Sequence, residues 1–156
     1  MSGAPAFALR GYNARDEEAA IALWLETWQA AYPQLDFAAR LSWWRDRWRN
    51  ELVPAAHIVV AEADTAMIGF VTADPRTLYL DQLVVAPAYW GCGVGSALIA
   101  QAKRLSPGGL DLDVNTDNAR AIGFYAKEQF VIAGAGKNPL TGRPVHRMRW
   151  RPVPSG

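Results

Sequence analysis

The chain has 156 residues, of which 51% are hydrophobic and 20% are charged. This composition is typical of a globular chain, and the length predicts a single domain spanning residues 1–156. The 16 basic and 15 acidic side chains leave a net charge of +1, so we expect neither nucleic acid nor a membrane surface as a partner. The single cysteine, Cys92, excludes an internal disulfide and a cysteine-cluster zinc site, and we predict no metal site.

The chain carries no sign of membrane insertion or export. No stretch approaches the roughly 18 consecutive apolar residues that a transmembrane helix needs. The N-terminal residues 1–5 lack the basic region and apolar run of a signal peptide. We therefore expect a soluble, cytoplasmic protein; a homodimer is possible, and the sequence does not fix the oligomeric state.

The first third of the chain predicts a strand and two helices. Alternating apolar residues over 7–12 indicate a short strand. A helix should follow from about 16 to 32, with Asp16 as its N-cap. A second helix should cover 36–50 and end before Pro54, with arginines on a solvated face. Its apolar face repeats at helical spacing and comprises Phe37, Leu41, Trp44 and Trp48.

The rest of the chain alternates strands with two more helices. In chain order these are a hairpin of 57–63 and 66–74, a strand at 77–85, a helix at 95–106, a strand at 110–115, a helix at 118–128, and strands at 130–135 and 145–150. The unit from 77 to 115 requires a parallel crossover if both its strands share a sheet. The predicted fold is a mixed α/β domain: a central, mostly antiparallel sheet with one parallel strand–helix–strand unit and helices on both faces.

Three glycines at spacing two, Gly91, Gly93 and Gly95, stand where a predicted strand leads into a helix. Glycines let the backbone approach a ligand, and a helix N-terminus offers unpaired N–H groups, so together they suggest a phosphate cradle. A dinucleotide fingerprint would need a further glycine where Ser96 stands, and a P-loop would need a lysine. A plain glycine-rich connection remains the alternative.

Two segments carry a family resemblance. The sequence LDQLVVAPAYWGCGVGSALI at 80–99 resembles the acetyl-CoA motif of the GCN5-related N-acetyltransferases (GNAT), and VNTDNARAIGFYAKEQF at 114–130 resembles the second motif of that family. There are two departures. Trp90 stands three residues before the middle glycine, where the family usually has Gln or Arg, and Gln129 stands where the family usually has Gly.

The resemblance implies a GNAT-like fold, acetyl-CoA as co-substrate and an amine-bearing acceptor. Backbone groups of Leu83 and Val85 would pair with the pantetheine arm, as an added strand does. Asn118 would hydrogen-bond the cofactor where the parallel strands part. The pyrophosphate would be held by six successive backbone N–H groups, those of Gly91, Cys92, Gly93, Val94, Gly95 and Ser96.

The same resemblance implies direct attack of the amine on the thioester, with Tyr125 as general acid at the sulfur. A core aromatic on the 118–128 helix is the alternative for Tyr125. Asp81, a carboxylate within an apolar strand, is the candidate base, and it could instead orient the acceptor ammonium. A solvated position or a structural salt bridge remains open for Asp81.

The acceptor side is less defined. Trp28 and Tyr32, near the turn between the first two helices, could stack on the substrate, although most of the tryptophans should be core. His146 could line the acceptor site or be an ordinary core histidine. The rival function is a non-catalytic acyl-CoA-binding sensor. Release of CoA in the presence of amines would separate the two.

Overall fold

The computed structural model describes residues 6–139 and 141–153. Residues 1–5, on which the expectation about a signal peptide rests, lie outside the described part. Seven strands form one sheet in the order β1-β2-β3-β4-β5-β7-β6. They are β1 (Ala8–Gly11), β2 (His57–Ala63), β3 (Ala66–Asp74), β4 (Tyr79–Val85), β5 (Leu110–Asn115), β6 (Val131–Lys137) and β7 (Pro144–Trp150). The β4–β5 pair is parallel and the other described pairs are antiparallel, which confirms the predicted mixed sheet.

Helices cover both faces of this sheet, as the sequence predicts. They are α1 (Glu17–Ala31), α2 (Leu41–Arg47), α3 (Val53–Ala55), α4 (Val94–Leu105) and α5 (Ala119–Lys127), with a π-helical turn at Trp48–Leu52 joining α2 to α3. The α1–α3 side buries an aromatic cluster that includes Trp24, Trp44 and Trp48. The α4–α5 side buries a mostly aliphatic cluster that includes Leu98 and Ile99. No helix in the described part is long and apolar enough to cross a bilayer.

The β2–β3 hairpin forms where the sequence predicts it. Its two turn residues, Asp64 and Thr65, have φ angles of 50° and 65°. Positive φ at both central residues is the signature of the tight turn whose twist matches that of the strands. Asp favours such a turn because its short polar side chain tolerates this region of dihedral space.

Two predicted helix ends differ in detail from the structure. Asp16 is the N-cap residue of α1, as predicted, but its side chain makes no capping hydrogen bond to that helix. A 3₁₀ turn at 14–16 precedes α1, and Asn13 caps this turn by accepting the N–H of Arg15. Asp16 instead accepts the N–H of Asn13 at 2.9 Å and pairs with Arg10 at 2.8 Å. The helical path that continues from α2 ends at Ala55, one residue after Pro54 rather than before it.

The parallel pair of strands separates almost at once. β4 and β5 are in register at Tyr79 and Asp111 alone. On the other side of β4, Leu80 pairs with Ala73 and Gln82 with Thr72, which leaves Asp81 as the extra residue of a bulge. The bulge bends β4 away, and a gap opens towards the carboxyl ends of both strands, where ligands bind in open α/β sheets.

Candidate active site

The glycine loop forms a cradle of backbone donors at one end of this gap. Gly91 and Gly93 have φ angles of 79° and 87°, which side chains rarely adopt. In α4, the first N–H group that makes a hydrogen bond is that of Ala97, which donates to the carbonyl of Gly93 at 3.1 Å. Within the described residues, the N–H groups of the first three positions of α4, residues 94–96, therefore have no acceptor. An anion can take all three.

Cys92 departs from the predicted role, because its N–H already donates to the carbonyl of Tyr89 at 3.2 Å.

Gly95 is favoured by close packing, whereas Gly91 and Gly93 are favoured by their positive φ angles. A Cβ at Gly95 would stand 3.1 Å from the ring of Phe124 on α5. The second motif therefore packs directly on the first, and the start of α4 lies against α5.

β4 presents main-chain groups to the gap. The N–H of Ala86 donates to Ile68 on the β3 side at 2.8 Å, and main-chain groups alternate along a strand, so those of Leu83 and Val85 face the opening. The carbonyl of Val85 accepts a hydrogen bond of 2.8 Å from the indole of Trp90. An added peptide-like arm therefore meets a partly occupied strand edge.

Asn118 caps α5, as predicted. Its Oδ1 accepts the N–H of Ala121 at 3.1 Å, and this bond fixes the side chain at the edge of the gap. Within the described residues, the amide nitrogen of Asn118 has no hydrogen-bond partner. It is left to donate to a ligand in the gap.

Tyr125 lies below the gap on α5 and is 9% exposed. Burial raises the pKa of its hydroxyl above the ordinary value, against a smaller opposing effect of the Arg120 charge. Among the described residues no hydrogen bond acts on this hydroxyl, since burial and the Arg120 charge are the two causes of its pKa shift. A phenol that stays protonated and unpartnered at the wall of a cavity is suited to donate a proton or a hydrogen bond.

A groove of about 340 Å³ runs along the α1–α2 side of the sheet and reaches into the gap. It brings together six of the predicted residues, which are Trp28, Tyr32, Asp81, Leu83, Asn118 and Tyr125. The glycine loop lies outside this groove, at the far side of the gap.

Asp81 is not a free carboxylate. Arg47 binds it in bidentate fashion, with one contact of 2.8 Å between Nη1 and Oδ1 and a second between Nη2 and Oδ2. The amide of Gln82 donates to the same Oδ1 at 3.0 Å. The hydrogen bonds to this carboxylate raise the pKa of the Arg47 guanidinium. Arg47 was expected on a solvated face, and that expectation is wrong for this residue.

Trp28 and Tyr32 stack with their ring centroids 6.0 Å apart and nearly parallel. The hydroxyl of Tyr32 accepts from Asn115 at 2.9 Å and donates to Asp117 at 3.2 Å. Arg143 holds Asp117 at 2.5 Å, with its guanidinium 5.0 Å from the centre of the Tyr32 ring. The aromatic wall is thus tied to the end of β5 across the groove.

His146 does not lie with the other predicted acceptor residues. It is half-buried on β7, and it points to the same side as Met148, which belongs to the core under α4 and α5. The groove takes Val145 from this strand instead.

Two charged groove residues, Arg47 and Arg120, were missed by the sequence reasoning. Arg47 is three residues after Trp44, so it shares the buried face of its helix rather than the exposed one. That spacing was a usable signal. Arg120 carried no such signal, because its partner is Trp90 in the glycine loop, with 3.8 Å between the guanidinium carbon and the ring centre.

The cradle, the unpaired strand edge and the amide of Asn118 fit the phosphates and the peptide-like arm of acetyl-CoA. Comparison with known proteins agrees. A model of the acetyltransferase (GNAT) family matches residues 18–130. Peptidyl-lysine N-acetyltransferase YjaB of Salmonella typhimurium is 29% identical over 137 residues, which are 87% of this chain and 91% of that protein.

Peptidyl-lysine N-acetyltransferase YiaC of Escherichia coli is 30% identical over 135 residues, covering 85% of this chain and 88% of that protein. The crystal structure of PaiA N-acetyltransferase from Thermoplasma acidophilum, in complex with coenzyme A, has the same fold. Its TM-score is 0.75 at 19% identity, with 94% of this chain and 99% of that chain covered. The chain therefore belongs to the GNAT family of acetyltransferases, whose acetyl donor is acetyl-CoA.

Proposed function

We propose that this acetyltransferase acts on the ε-amine of lysine side chains in peptides or proteins. One observation carries the proposal: a single open groove connects Asp81 and the aromatic wall to Tyr125 in the gap. An open groove admits a lysine that projects from a larger chain. The two similar YjaB and YiaC proteins named above support the same acceptor class.

The residues divide the chemistry between them. Acetyl-CoA supplies the thioester, whose carbonyl carbon forms the new bond to the amine nitrogen while the carbon–sulfur bond breaks. Tyr125 donates its hydroxyl proton, or a hydrogen bond, to the departing sulfur. Its raised pKa keeps that proton in place at neutral pH. No nucleophilic side chain is needed, since the amine attacks directly.

Asp81 meets the incoming ammonium. A lysine arrives as a cation, and Asp81 is one of two carboxylates that line the groove, the other being Asp113 of β5. Arg47 must release one carboxylate oxygen before Asp81 accepts a proton from that ammonium. Asp81 therefore orients the acceptor first and acts as its base second.

Trp28 and Tyr32 would flank the aliphatic stem of the lysine. Their stacked rings offer apolar faces, and aromatic faces also attract an ammonium group. Trp28 lies on α1 and Tyr32 is the residue that caps its C-terminus, so the two rings form one wall. His146 has no assigned part in this arrangement.

The test is acetylation of matched acceptors by the purified chain. One peptide carries an internal lysine and a blocked N-terminus, a second has norleucine for the lysine and a free N-terminus, and a third acceptor is a free small amine. We expect CoA release, and a mass gain of one acetyl group, with the first peptide. Acetylation of the free α-amine alone would overturn the lysine assignment.

The rival is a sensor that binds acyl-CoA without turnover. The unpartnered hydroxyl of Tyr125 at the groove wall favours catalysis over it, because that hydroxyl is left to donate to a departing sulfur. Saturable binding of acetyl-CoA without CoA release for any amine would favour the sensor.

A further inference from the structure

Arg120 of α5 stands beside the glycine loop with its guanidinium on the face of Trp90. The guanidinium carbon lies 3.8 Å from the centre of the Trp90 ring. The same indole donates to the carbonyl of Val85, which fixes its plane. Trp90 therefore forms a rigid platform that holds one cation at the mouth of the gap.

The charge on Arg120 is not neutralised within the described residues, since no carboxylate lies within ion-pairing distance of it. Of the other three arginines that line the groove, Arg40 is likewise without an ion pair in the described residues, whereas two are paired. Arg47 is paired with Asp81, and Arg143 with Asp117. An exposed guanidinium that is positioned but unpaired is available to a ligand anion.

Helix geometry directs Arg120 to the cradle. Residues four apart share a helix face, so Arg120, Phe124 and Glu128 form one ridge of α5. The other two members touch the start of α4: Phe124 packs on Gly95, and Glu128 accepts the hydroxyl of Ser96 at 2.9 Å. Arg120, the third member of the ridge, therefore faces the same loop. The carboxylate of Glu128 is bound to Ser96 and lies two helical turns away, so it does not neutralise Arg120.

We propose that Arg120 binds a phosphate of acetyl-CoA and that Trp90 positions it. The structure brings a cation from α5 onto the ring of Trp90, directly before the glycine loop. The loop N–H groups and Arg120 then share one anion from two sides. A guanidinium adds a charge-assisted bond to the neutral backbone donors. The proposal deepens the acetyl-CoA site and rests on it.

Calorimetric affinity for CoA tests this without any turnover. Arg120→Ala should weaken CoA binding by about tenfold or more, because bonds to charged groups are among the stronger ones. Arg120→Lys should recover part of the loss. Arg104→Ala, which removes the same charge from the surface of α4, is the matched control and should bind as the parent protein does.

Affinities for truncated ligands, and the salt dependence of CoA affinity, show whether Arg120 contacts a phosphate and which one. Pantetheine lacks phosphates, so Arg120→Ala should leave its affinity unchanged, while 3′-dephospho-CoA shows which phosphate is held. The affinity of the parent protein for CoA should fall more steeply with salt than that of Arg120→Ala. A variant that loses pantetheine and CoA affinity equally would show a packing role and overturn the proposal.

Variants of Trp90 test the role of the ring separately from the role of the Arg120 charge. Trp90→Phe keeps a ring and should retain affinity within about threefold, whereas Trp90→Ala should weaken CoA binding as Arg120→Ala does. The double variant should lose little more than either single one, since the two residues act as a unit. Tighter CoA binding by Arg120→Ala would mean that the stack obstructs the gap, and it would also overturn the proposal.

These results stand apart from the lysine proposal. Loss of CoA affinity in Arg120→Ala, together with no acetylation of any lysine peptide by the parent protein, would sustain this inference and refute the acceptor assignment. The reverse pattern would refute the phosphate contact and leave the acceptor assignment intact.

Discussion

The cofactor half and the acceptor half of this molecule bind their ligands by different means. The cofactor half, from β4 to α5, offers mainly backbone groups: left-handed glycines, free N–H groups at the start of α4 and an open strand edge. The acceptor half, formed by α1, α2 and the side chain of Asp81 on β4, offers side chains that are paired with one another, such as Arg47 with Asp81. Backbone sites depend on local sequence, whereas side-chain sites depend on long-range packing.

The two halves meet at Tyr125, whose removal should have the largest effect. Tyr125→Phe deletes one hydroxyl and keeps the ring, so the fold and the affinity for acetyl-CoA should persist. A general acid contributes ~10²–10⁴ in rate, and we expect a loss in that range in single-turnover acetyl transfer. If the hydroxyl only hydrogen-bonds a sulfur that leaves unaided, the loss falls to about tenfold. Turnover equal to that of the parent protein would reduce Tyr125 to a core aromatic.

The backbone character of the cofactor half is tested at Gly93. Its φ of 87° is unfavourable for any side chain, although a Cβ there would meet no neighbouring atom. Gly93→Val should therefore act by moving the loop amides, and acetyl-CoA affinity should fall by about tenfold or more. Gly123→Val is the control, because Gly123 lies on the exposed side of α5 with the same open space and ordinary dihedrals. Equal affinities of the two variants would refute the cradle.

These halves also differ in how far the sequence predicted them. The spacing of Gly91, Gly93 and Gly95 and the capping position of Asn118 are local features, and the structure places both as predicted. The predicted role of the Cys92 N–H as a phosphate donor does not hold, because this N–H donates to the carbonyl of Tyr89 within the tight loop. Composition does not reveal such a local bond. The partners Arg47 and Asp81 lie 34 residues apart, so only the packing of α2 on the sheet could bring them together.

The paired character of the acceptor half is tested at Asp81. Asp81→Asn keeps the shape but leaves the Arg47 charge unopposed in the groove, so the acceptor ammonium meets repulsion. We expect kcat/KM for a lysine peptide to fall by about tenfold, and the acidic limb of its pH profile to vanish if Asp81 is the base. Acetyl-CoA affinity should not change. Persistence of the limb in the variant would assign proton removal to another group and leave Asp81 an orienting role.

A smaller effect is expected at the aromatic wall. Trp28→Ala removes one of the two stacked rings and should raise the KM for a lysine peptide several-fold, with kcat and acetyl-CoA affinity unchanged. Trp28→Phe preserves a ring and should restore most of the KM. An effect of Trp28→Ala on acetyl-CoA affinity instead would mean that the wall supports the cofactor half, and the division between the halves would fail there.

The smallest effect concerns how the acceptor half is anchored, and it appears as a pH dependence of stability. Arg10 holds the pKa of Asp16 below its ordinary value, through two hydrogen bonds at the entry to α1. A lowered folded-state pKa stabilises the fold above the unfolded value of about 3.9, and this stabilisation is lost as the pH falls through the folded value.

Asp16→Asn should therefore lower the free energy of unfolding by about 1 kcal/mol at pH 7, and the difference should shrink below about pH 4. Urea unfolding at several pH values measures it. A difference that persists at acid pH would assign the loss to packing around Asp16 rather than to its charge. Since α1 carries the aromatic wall, the same variant should weaken lysine-peptide binding before it affects binding of CoA.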